Sequence, residues 1–189
     1  MSFTPDRSLV RLRPVQAEDV DHILGWVNDP SIVGNIAAFS GEPFTREQEL
    51  AYIAQMQASK SDELFSIFAS DDDDDPDNDA YVGQVGIHQI HWRSRVGRLG
   101  IVIADKARMG RGLGSAALAS AIDVAFGQDQ LNLHKLWLMV FSNNTRSLRT
   151  YKRLGFVEEG VLREEYFHDE RWRDMTRLSL LKREWALPS

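Results

Sequence analysis

The stretch "ARMGRGLGSAAL", residues 107–118, combines a glycine-rich turn with the start of an apolar segment. Gly110, Gly112 and Gly114 stand at alternate positions, which removes the side chains that would keep a bulky group away from the backbone. The apolar residues behind them follow helical spacing, which predicts a helix over 113–127. Because the first N–H groups of a helix are unpaired and carry the positive end of its dipole, this stretch is typical of an anion-binding loop.

Two cations within the loop, Arg108 and Arg111, favour a phosphate as the bound anion. A Walker-type loop requires Lys between its last Gly and a following Ser or Thr, whereas Ser115 follows Gly114 directly. The dinucleotide fingerprint requires an acidic residue at the end of the next strand, and residues 141–143 read Phe-Ser-Asn. A nicotinamide-binding module therefore stays a weaker alternative, beside a tight turn that binds nothing.

The rest of the chain alternates between strand and helix patterns. Apolar–polar alternation and short apolar runs predict strands, and apolar residues at helical spacing predict helices. The predicted strands are 9–15, 63–70, 81–92, 96–105, 135–142, 157–168 and 172–182, and the predicted helices are 18–29, 46–59, 113–127 and 143–156. Segment 31–44 is irregular and is predicted to be a long loop. This order predicts an α/β fold with a mixed, mostly antiparallel central sheet and helices on both faces.

The composition indicates a globular chain and excludes several kinds of site. A length of 189 residues suits one well-buried core, and no linker or repeat divides it, so we predict a single domain over 1–189. The absence of Cys excludes disulfides, thiolate nucleophiles and Cys-ligated metals, and no metal site is predicted. The chain start lacks the pattern of a signal peptide, and no stretch has the length of a membrane span, so we expect a cytoplasmic protein without a membrane partner.

The net charge of -6 argues against a nucleic-acid partner held by charge neutralisation. Much of this charge lies in "SDDDDDPDNDA", residues 70–80, which is predicted to be a solvated acidic loop between two strands. A guide for a cationic substrate or a divalent-ion site is the alternative interpretation of this run.

A second motif follows the predicted strand at 135–142. Five residues fit the order N-x-x-S-x-x-x-Y-x-x-x-G-F: Asn144, Ser147, Tyr151, Gly155 and Phe156. Together with the glycine loop and the order of elements, this motif resembles the GNAT superfamily of acetyl-CoA-dependent N-acetyltransferases. The C-terminal segment is similar to that of the branch that acetylates ribosomal-protein N-termini, polyamines and amino sugars. The glycine loop departs from the family pattern at one position, where Met109 replaces Arg or Gln.

The resemblance implies a GNAT-like acyl-CoA N-acyltransferase fold that covers nearly the whole chain, with acetyl-CoA as cosubstrate. It implies that the loop cradles the CoA pyrophosphate and that the strand before the loop pairs with the pantetheine arm. The residues implied for cofactor binding are Ile101, Ile103, Arg108, Met109, Gly110, Arg111, Gly112, Leu113, Gly114, Asn144 and Ser147.

Amide formation from an amine and a thioester needs a neutral amine, a polarised carbonyl and a proton for the leaving thiolate. Tyr151 lies on the same predicted helix face as Ser147 and Asn144. A phenol of pKa about 10 is able to protonate a thiolate of similar basicity, and the resemblance implies this role for Tyr151. A Tyr that only packs the helix onto the sheet is the alternative. A backbone N–H near Ile101 or Ile103 is expected to polarise the carbonyl.

No motif in the sequence marks the general base. Many members of the family carry Glu on the strand before the glycine loop, where this chain has Arg98. His88, on the preceding predicted strand, is the candidate base, because histidine titrates near neutral pH. Packed or surface histidines are more common than catalytic ones. The other candidates are His91, Glu164, Glu165 and His168.

The acceptor amine is ranked by the cost of removing its proton. A lysine-like amine of pKa about 10.4 costs roughly 4.5 kcal/mol to deprotonate near neutral pH, and an α-amine costs only about 1–1.4 kcal/mol. Without an evident base, this difference favours a protein N-terminus or an amino sugar over a polyamine. A non-catalytic acyl-CoA-binding sensor is the alternative from another functional class.

The acceptor wall is predicted within residues 26–44, the one long irregular segment that faces the cleft in this fold. The predicted contacts are Trp26, Asn28, Asp29 and Phe44. Packing of Trp26 within the apolar face of the first helix is the alternative. The final hairpin is a predicted edge for a homodimer.

Overall fold

The structure, a computed structural model, describes residues 3–34, 43–69, 79–168 and 170–185. Within these residues, seven strands form one sheet in the order β1-β2-β3-β4-β5-β7-β6. The strands are β1 (Arg11–Pro14), β2 (Glu63–Ala69), β3 (Ala80–His91), β4 (Val96–Ile103), β5 (Lys135–Phe141), β6 (Val157–His168) and β7 (Arg171–Leu181). The helices are α1 (Val20–Val27), α2 (Pro30–Val33), α3 (Arg46–Ala58), α4 (Leu113–Phe126) and α5 (Thr145–Arg153).

Neighbouring strands are antiparallel except for β4 and β5, which run parallel. The mixed, mostly antiparallel sheet is therefore confirmed. The single domain over 1–189 stays a prediction. None of the helices in the described ranges is both long and apolar enough to cross a bilayer.

Helix starts follow the capping chemistry of the sequence. Thr45 Oγ1 accepts from the N–H of Gln48, and Gln48 Oε1 accepts from the N–H of Thr45, which completes the capping box before α3. Asn144 caps α5 in the same manner, since its Oδ1 accepts from the N–H of Ser147 at 3.1 Å. Gly112, with φ +91°, precedes α4 in a left-handed conformation that favours glycine.

Two apolar clusters, one on each face of the sheet, set the direction of the side chains. The larger one lies beneath α4 and α5 and includes Leu99, with Ile101 and Ile103 packed against it. The smaller one lies beneath α1 and α3, and Val102 packs against it. Because successive side chains of a strand point to opposite faces, Arg98 and Gly100 share the α1/α3 face with Val102.

The predicted loop at 31–44 contains one helical turn that the sequence analysis missed. Asp29 Oδ1 accepts from the N–H of Ser31 at 2.9 Å, and Pro30 occupies the first position of α2, where its missing N–H costs nothing. The prediction of an entirely irregular segment was therefore wrong at Pro30–Val33. Residues 35–42 lie outside the described residues, as do residues 70–78 of the predicted acidic loop.

The predicted final hairpin is present as β6 and β7, and β6 forms one edge of the sheet. The exposed large apolar side chains of this hairpin are Val157, Val161 and Phe167 of β6 and Trp172 of β7. A homodimer through this edge stays a prediction.

Candidate active site

The centre of the sheet opens where β4 leaves β5. The two strands pair at only three positions, which on β4 run from Val96 to Arg98. Beyond Arg98, β4 continues to Ile103 and β5 continues to Phe141 without further pairing. The diverging strands therefore leave a V-shaped opening with unpaired backbone N–H and C=O groups along its edges. An extended ligand that carries amides is able to pair with such an edge as an added strand does.

The glycine loop lies between β4 and the start of α4. Gly110 and Gly112 have φ of +88° and +91°, and a Cβ on Gly110 would meet nothing within 4 Å. The nearest atom to a Cβ on Gly112 would be a methyl carbon of Leu9 at 3.5 Å. The first N–H groups of α4, including that of Leu113, have no partner within the helix. The loop therefore offers space and backbone donors for an anion of the size of a phosphate.

The two arginines of the loop differ in their contacts. The Arg108 guanidinium donates to Asp105 Oδ2 at 2.5 Å, and Asp105 also accepts from the N–H groups of Ala107 and Arg108. Arg111 is exposed and forms no salt bridge with the described residues. Arg111 is therefore the loop cation that is available to an anionic ligand, and Arg108 chiefly holds the loop together.

The second motif combines helix capping with one chemically active side chain. Asn144 begins α5, and Gly155, with φ +94°, follows its last turn. Tyr151 lies one turn beyond Ser147, and its ring packs edge-to-face against Phe156 with the centroids 5.8 Å apart. The motif residues therefore fix the position of the tyrosine ring relative to the sheet.

The Tyr151 side chain packs against the larger apolar cluster. Burial raises the pKa of Tyr151 to about 12, so the phenol keeps its proton at neutral pH. Its hydroxyl forms no hydrogen bond with the described residues. The group is therefore a neutral O–H donor without an intramolecular acceptor.

The α1/α3 face of the sheet carries a shallow depression made by two glycines. Gly86 of β3 lies directly opposite Gly100 of β4, and we call this pair the glycine floor. The His88 imidazole covers it, because a Cβ on Gly86 would lie 2.3 Å from His88 Nε2 and a Cβ on Gly100 would lie 3.9 Å from His88 Cδ2. His88 also lies opposite Arg98, the last residue of β4 that pairs with β5.

The environment of His88 contains charges of both signs. Its Nδ1 lies 3.2 Å from Asp62 Oδ1, and its side chain is 16% exposed. Burial lowers the pKa of His88, and the positive charge of Arg98 lowers it further, while Asp62 opposes both effects. The imidazole is therefore neutral at pH 7, with one ring nitrogen free to accept a proton.

Helix α3 adds a buried carboxylate to the same face. Glu49 is 4% exposed, and burial raises its pKa. It has no hydrogen-bond or salt-bridge partner among the described residues. Burial and the charges of Glu49 and Asp62 raise the pKa of nearby Tyr52, and Arg98 opposes them. Asp62 and Arg98, the two charges that act on His88, therefore also act on Tyr52 of α3, next to Glu49.

Most polar groups of the predicted acceptor wall are engaged in contacts within the described residues, and its role in acceptor binding stays a prediction. Asn28 exchanges two hydrogen bonds with the backbone of Phe44, at 2.8 and 3.0 Å. Asp29 caps α2 and pairs with Lys106 at 2.7 Å, and these contacts lower the pKa of Asp29 to about 2. Trp26 is 4% exposed and donates to the Tyr81 hydroxyl, which agrees with the core-packing alternative, and its contact with an acceptor stays a prediction. Asn28, Asp29 and Trp26 therefore shape the wall, and Phe44, 39% exposed, offers its ring to the surface.

The other candidate bases lie away from the glycine floor. His91 is exposed beyond an irregularity in β3, and its Nδ1 accepts from the N–H of Ser94. Glu164 and Glu165 are exposed on β6. His168 contacts the carbonyl of Gly34 through Nε2 at 2.8 Å. Of the five candidates, only His88 lies over the floor.

Sequence reasoning missed Asp62 and Glu49. For Glu49 a signal was present, because it precedes buried Ile53 by four residues and so occupies a core-facing position of α3. No local pattern marks Asp62, which meets His88 only through the pairing of β2 with β3.

Comparison with known proteins places these features in a family. The model of the acetyltransferase (GNAT) domain matches residues 10–157. A spermidine N(1)-acetyltransferase of Escherichia coli K12 is 26% identical over 181 residues, which are 96% of this chain and 90% of the relative. A putative ribosomal N-acetyltransferase of Bacillus subtilis is 32% identical over 103 residues, about half of each chain.

Among solved structures, the chain is similar to a spermidine N-acetyltransferase from Vibrio cholerae in complex with CoA and spermine. The TM-score is 0.82 and the identity is 25%, over 94% of this chain and 98% of that one. The two chains therefore share the arrangement of elements over nearly their whole length.

Proposed function

Because this chain belongs to the GNAT acetyltransferase family and is an acetyl-CoA-dependent N-acetyltransferase, we propose that it acetylates a small polyamine, with Tyr151 as general acid and His88 as general base. The observation that carries the choice of acceptor is the buried carboxylate of Glu49, which has no hydrogen-bond or salt-bridge partner among the described residues. The names of the spermidine-acetylating relatives agree with this choice.

The residues present fit acetyl-CoA as cosubstrate. A side chain at Gly110 would fill open space in the loop, so the loop retains room for the pyrophosphate. Arg111 would neutralise part of its charge, and the first N–H groups of α4 would donate to it. The unpaired β4 edge at Ile101 and Ile103 would bind the pantetheine amides, and Asn144 lies across the opening at the start of α5.

The two titratable groups suit opposite halves of the reaction. His88 Nε2 would accept the proton of the attacking amine as the new N–C bond forms. Tyr151 would donate its proton to the sulfur as the C–S bond breaks, and its raised pKa keeps that proton in place until then. The imidazolium then loses its proton to solvent, and the phenolate regains one from solvent.

On the α1/α3 face, different residues would contact the two ends of the acceptor: one set the reacting amine, and another a second amino group. Arg98 lies beside His88, and a nearby positive charge favours the neutral, nucleophilic form of an amine. Glu49 would pair with a second, charged ammonium of the same acceptor. A polyamine supplies both groups, whereas a monoamine leaves Glu49 without a partner.

The pKa ranking of possible acceptors favoured a protein N-terminus or an amino sugar, whereas the Escherichia coli relative that matches over 96% of this chain is a spermidine N(1)-acetyltransferase. That ranking assumed that the chain lacks a base. The contact between His88 and Asp62 weakens this assumption, because a positioned base lowers the cost of using an amine of high pKa. The polyamine alternative therefore becomes the preferred one.

Thiol release from acetyl-CoA tests the proposal on a panel of spermidine, a monoamine of similar length, glucosamine and a short peptide with a free N-terminus. We expect fastest turnover with spermidine. We expect Glu49→Gln to raise the KM for spermidine at least about 10-fold, the range for loss of a hydrogen bond to a charged group, and to leave the monoamine KM unchanged.

Glu47→Gln is the matched control, because Glu47 lies exposed in the first turn of the same helix. An equal change in both variants would contradict the role of Glu49. Faster turnover with the peptide or with glucosamine than with spermidine would contradict the polyamine proposal and support the ranking of acceptors by amine pKa. Acetyl-CoA binding without turnover on any amine would favour the sensor.

A further inference from the structure

We infer that Asp62 is a positioning residue that fixes the His88 imidazole with its proton on Nδ1 and its Nε2 lone pair over the glycine floor. The inference deepens the proposed function and rests on it, since it assigns how the base is held. Asp62 does not itself touch the reacting atoms and acts through His88.

Asp62 is anchored by hydrogen bonds from three other residues. Its Oδ2 accepts from the hydroxyls of Ser59 and Ser61, at 2.8 and 3.1 Å. Its Oδ1 accepts from the N–H of Gln89 at 3.1 Å and faces His88 Nδ1 at 3.2 Å. The carboxylate therefore has little freedom to rotate, and its orientation fixes that of the ring.

The charge state of Asp62 decides which nitrogen of His88 carries the proton. Burial acts to raise the pKa of Asp62, but its hydrogen bonds outweigh burial and lower it. An ionised carboxylate only accepts hydrogen bonds, so Nδ1 of the neutral imidazole must be the donor. Nε2 is then unprotonated, and it is the atom that lies closest to the Cβ position of Gly86.

The backbone of β3 deviates from regular geometry at this contact. The pairing register of β3 with β4 shifts between His88 and His91, and Gln89 has φ +53°, which is unusual for a residue other than glycine. This deviation directs the N–H of Gln89 to Asp62 and the N–H of Ile90 to the carbonyl of Ser61. The irregular segment thus joins β3 to the turn that carries Asp62.

Charged and titratable groups face His88 from each neighbouring element. Asp62 lies in the turn before β2, and Arg98 lies directly opposite His88 on β4. On α3, Tyr52 is near the same two charges, Asp62 and Arg98, and near Glu49. Asp62 stabilises the imidazolium and Arg98 destabilises it, so loss of Asp62 shifts the ionisation of His88 to lower pH.

Nitrogen-detected NMR of the histidine rings tests the tautomer without reference to activity. The chain has five histidines, and a His88→Gln spectrum assigns the His88 signals. At pH 7.5 we expect a neutral ring protonated on Nδ1 in the parent protein and on Nε2 in Asp62→Asn, because the Asn amide is able to donate to Nδ1. A parent ring protonated on Nε2 would overturn the inference.

The pH profile of acetyl transfer tests the consequence of this tautomer. We expect kcat of Asp62→Asn to fall about 10²-fold with little change in the KM for acetyl-CoA, as for loss of general-base catalysis. The acidic limb of the profile is expected to move to lower pH. Asp21→Asn, which changes a side chain that is 75% exposed on α1, is the matched control and should leave both unchanged.

The outcomes separate the inference from the proposed function. A tautomer change in Asp62→Asn with an unchanged pH profile would overturn the catalytic part, because His88 would then be positioned but unused. Absence of turnover in the parent protein would contradict the proposed function, and the NMR result would still decide whether Asp62 fixes the ring. A changed tautomer, a lower kcat and a shifted limb together would support the inference.

Discussion

In the proposed mechanism, the α4/α5 face and the α1/α3 face of the sheet carry two halves of one reaction, and the two faces are built differently. On the α4/α5 face, the site consists of left-handed glycines, the start of α4 and the capped helix α5, all within residues 105–156. On the α1/α3 face, Glu49, Asp62, His88 and Arg98 come from α3, the turn before β2, β3 and β4. The first half uses backbone geometry, and the second uses side chains from distant segments.

This difference predicts how each half tolerates change. A site built from backbone N–H groups and helix ends tolerates many substitutions, provided that each glycine keeps its backbone conformation. An imidazole held by one carboxylate over two glycines has far less tolerance, because a single added carbon displaces it. Substitutions on the α1/α3 face should therefore impair turnover while leaving acetyl-CoA binding intact.

Gly86→Ala should give the largest effect and separates the two faces most clearly. The new Cβ would lie 2.3 Å from His88 Nε2, so the ring must leave the glycine floor. We expect kcat/KM for the amine to fall about 10²-fold, equivalent to about 2.7 kcal/mol in the barrier. Calorimetric titration with CoA should show unchanged affinity.

Gly25→Ala is the control for this substitution, because a Cβ there meets nothing within 4 Å and Gly25 lies within helix α1. It should leave turnover unchanged and stabilise the protein by about 0.5–1 kcal/mol. If Gly86→Ala weakened CoA binding as strongly as turnover, the two faces would not be separable.

On the α4/α5 face, Gly112→Ala and Gly114→Ala form a matched pair with smaller effects. Gly112 has φ +91°, where alanine is strained by about 1–2 kcal/mol. Gly114 lies within the first turn of α4, and a Cβ there would make an ordinary contact with Ile103 at 3.5 Å. Urea unfolding should show a loss of stability for the first variant and none for the second. Equal losses would contradict the assignment of strain to Gly112.

The two faces also differ in how far the sequence predicts them. The helices over 113–127 and 143–156 were predicted because each depends on residues within one or two turns. The turn at Pro30–Val33 was missed because Asp29 and Pro30 also fit the end of α1. Local sequence therefore predicts that helices are present, but at Asp29 and Pro30 it does not distinguish the end of one helix from the start of the next.

The α1/α3 face was predicted only in part, because its contacts depend on strand register. His88 was a candidate from its residue type, but its position over the glycine floor follows from the pairing of Gly86 with Gly100. Asp62 reaches His88 through the pairing of β2 with β3, which no local pattern encodes. Trp26 and Asn28 were predicted as acceptor contacts from their position in segment 26–44, and their hydrogen bonds to Tyr81 and Phe44 could not be predicted because both partners are distant in sequence.

Tyr151 gives the smallest predicted effect. It shares features with both faces, because a local motif encodes it and its side chain is the proposed proton donor. Its pKa of about 12 exceeds the ordinary value of about 10, so folding favours the protonated phenol. The stability that this preference contributes is intact below pH 10 and is lost as the pH rises through 12. Ultraviolet titration of the parent protein minus Tyr151→Phe should therefore show no ionisation of this phenol below pH 10. Ionisation near the ordinary value would mean that solvent reaches the hydroxyl, and the α4/α5 face would then lack the buried proton donor that distinguishes it from a passive cofactor cradle.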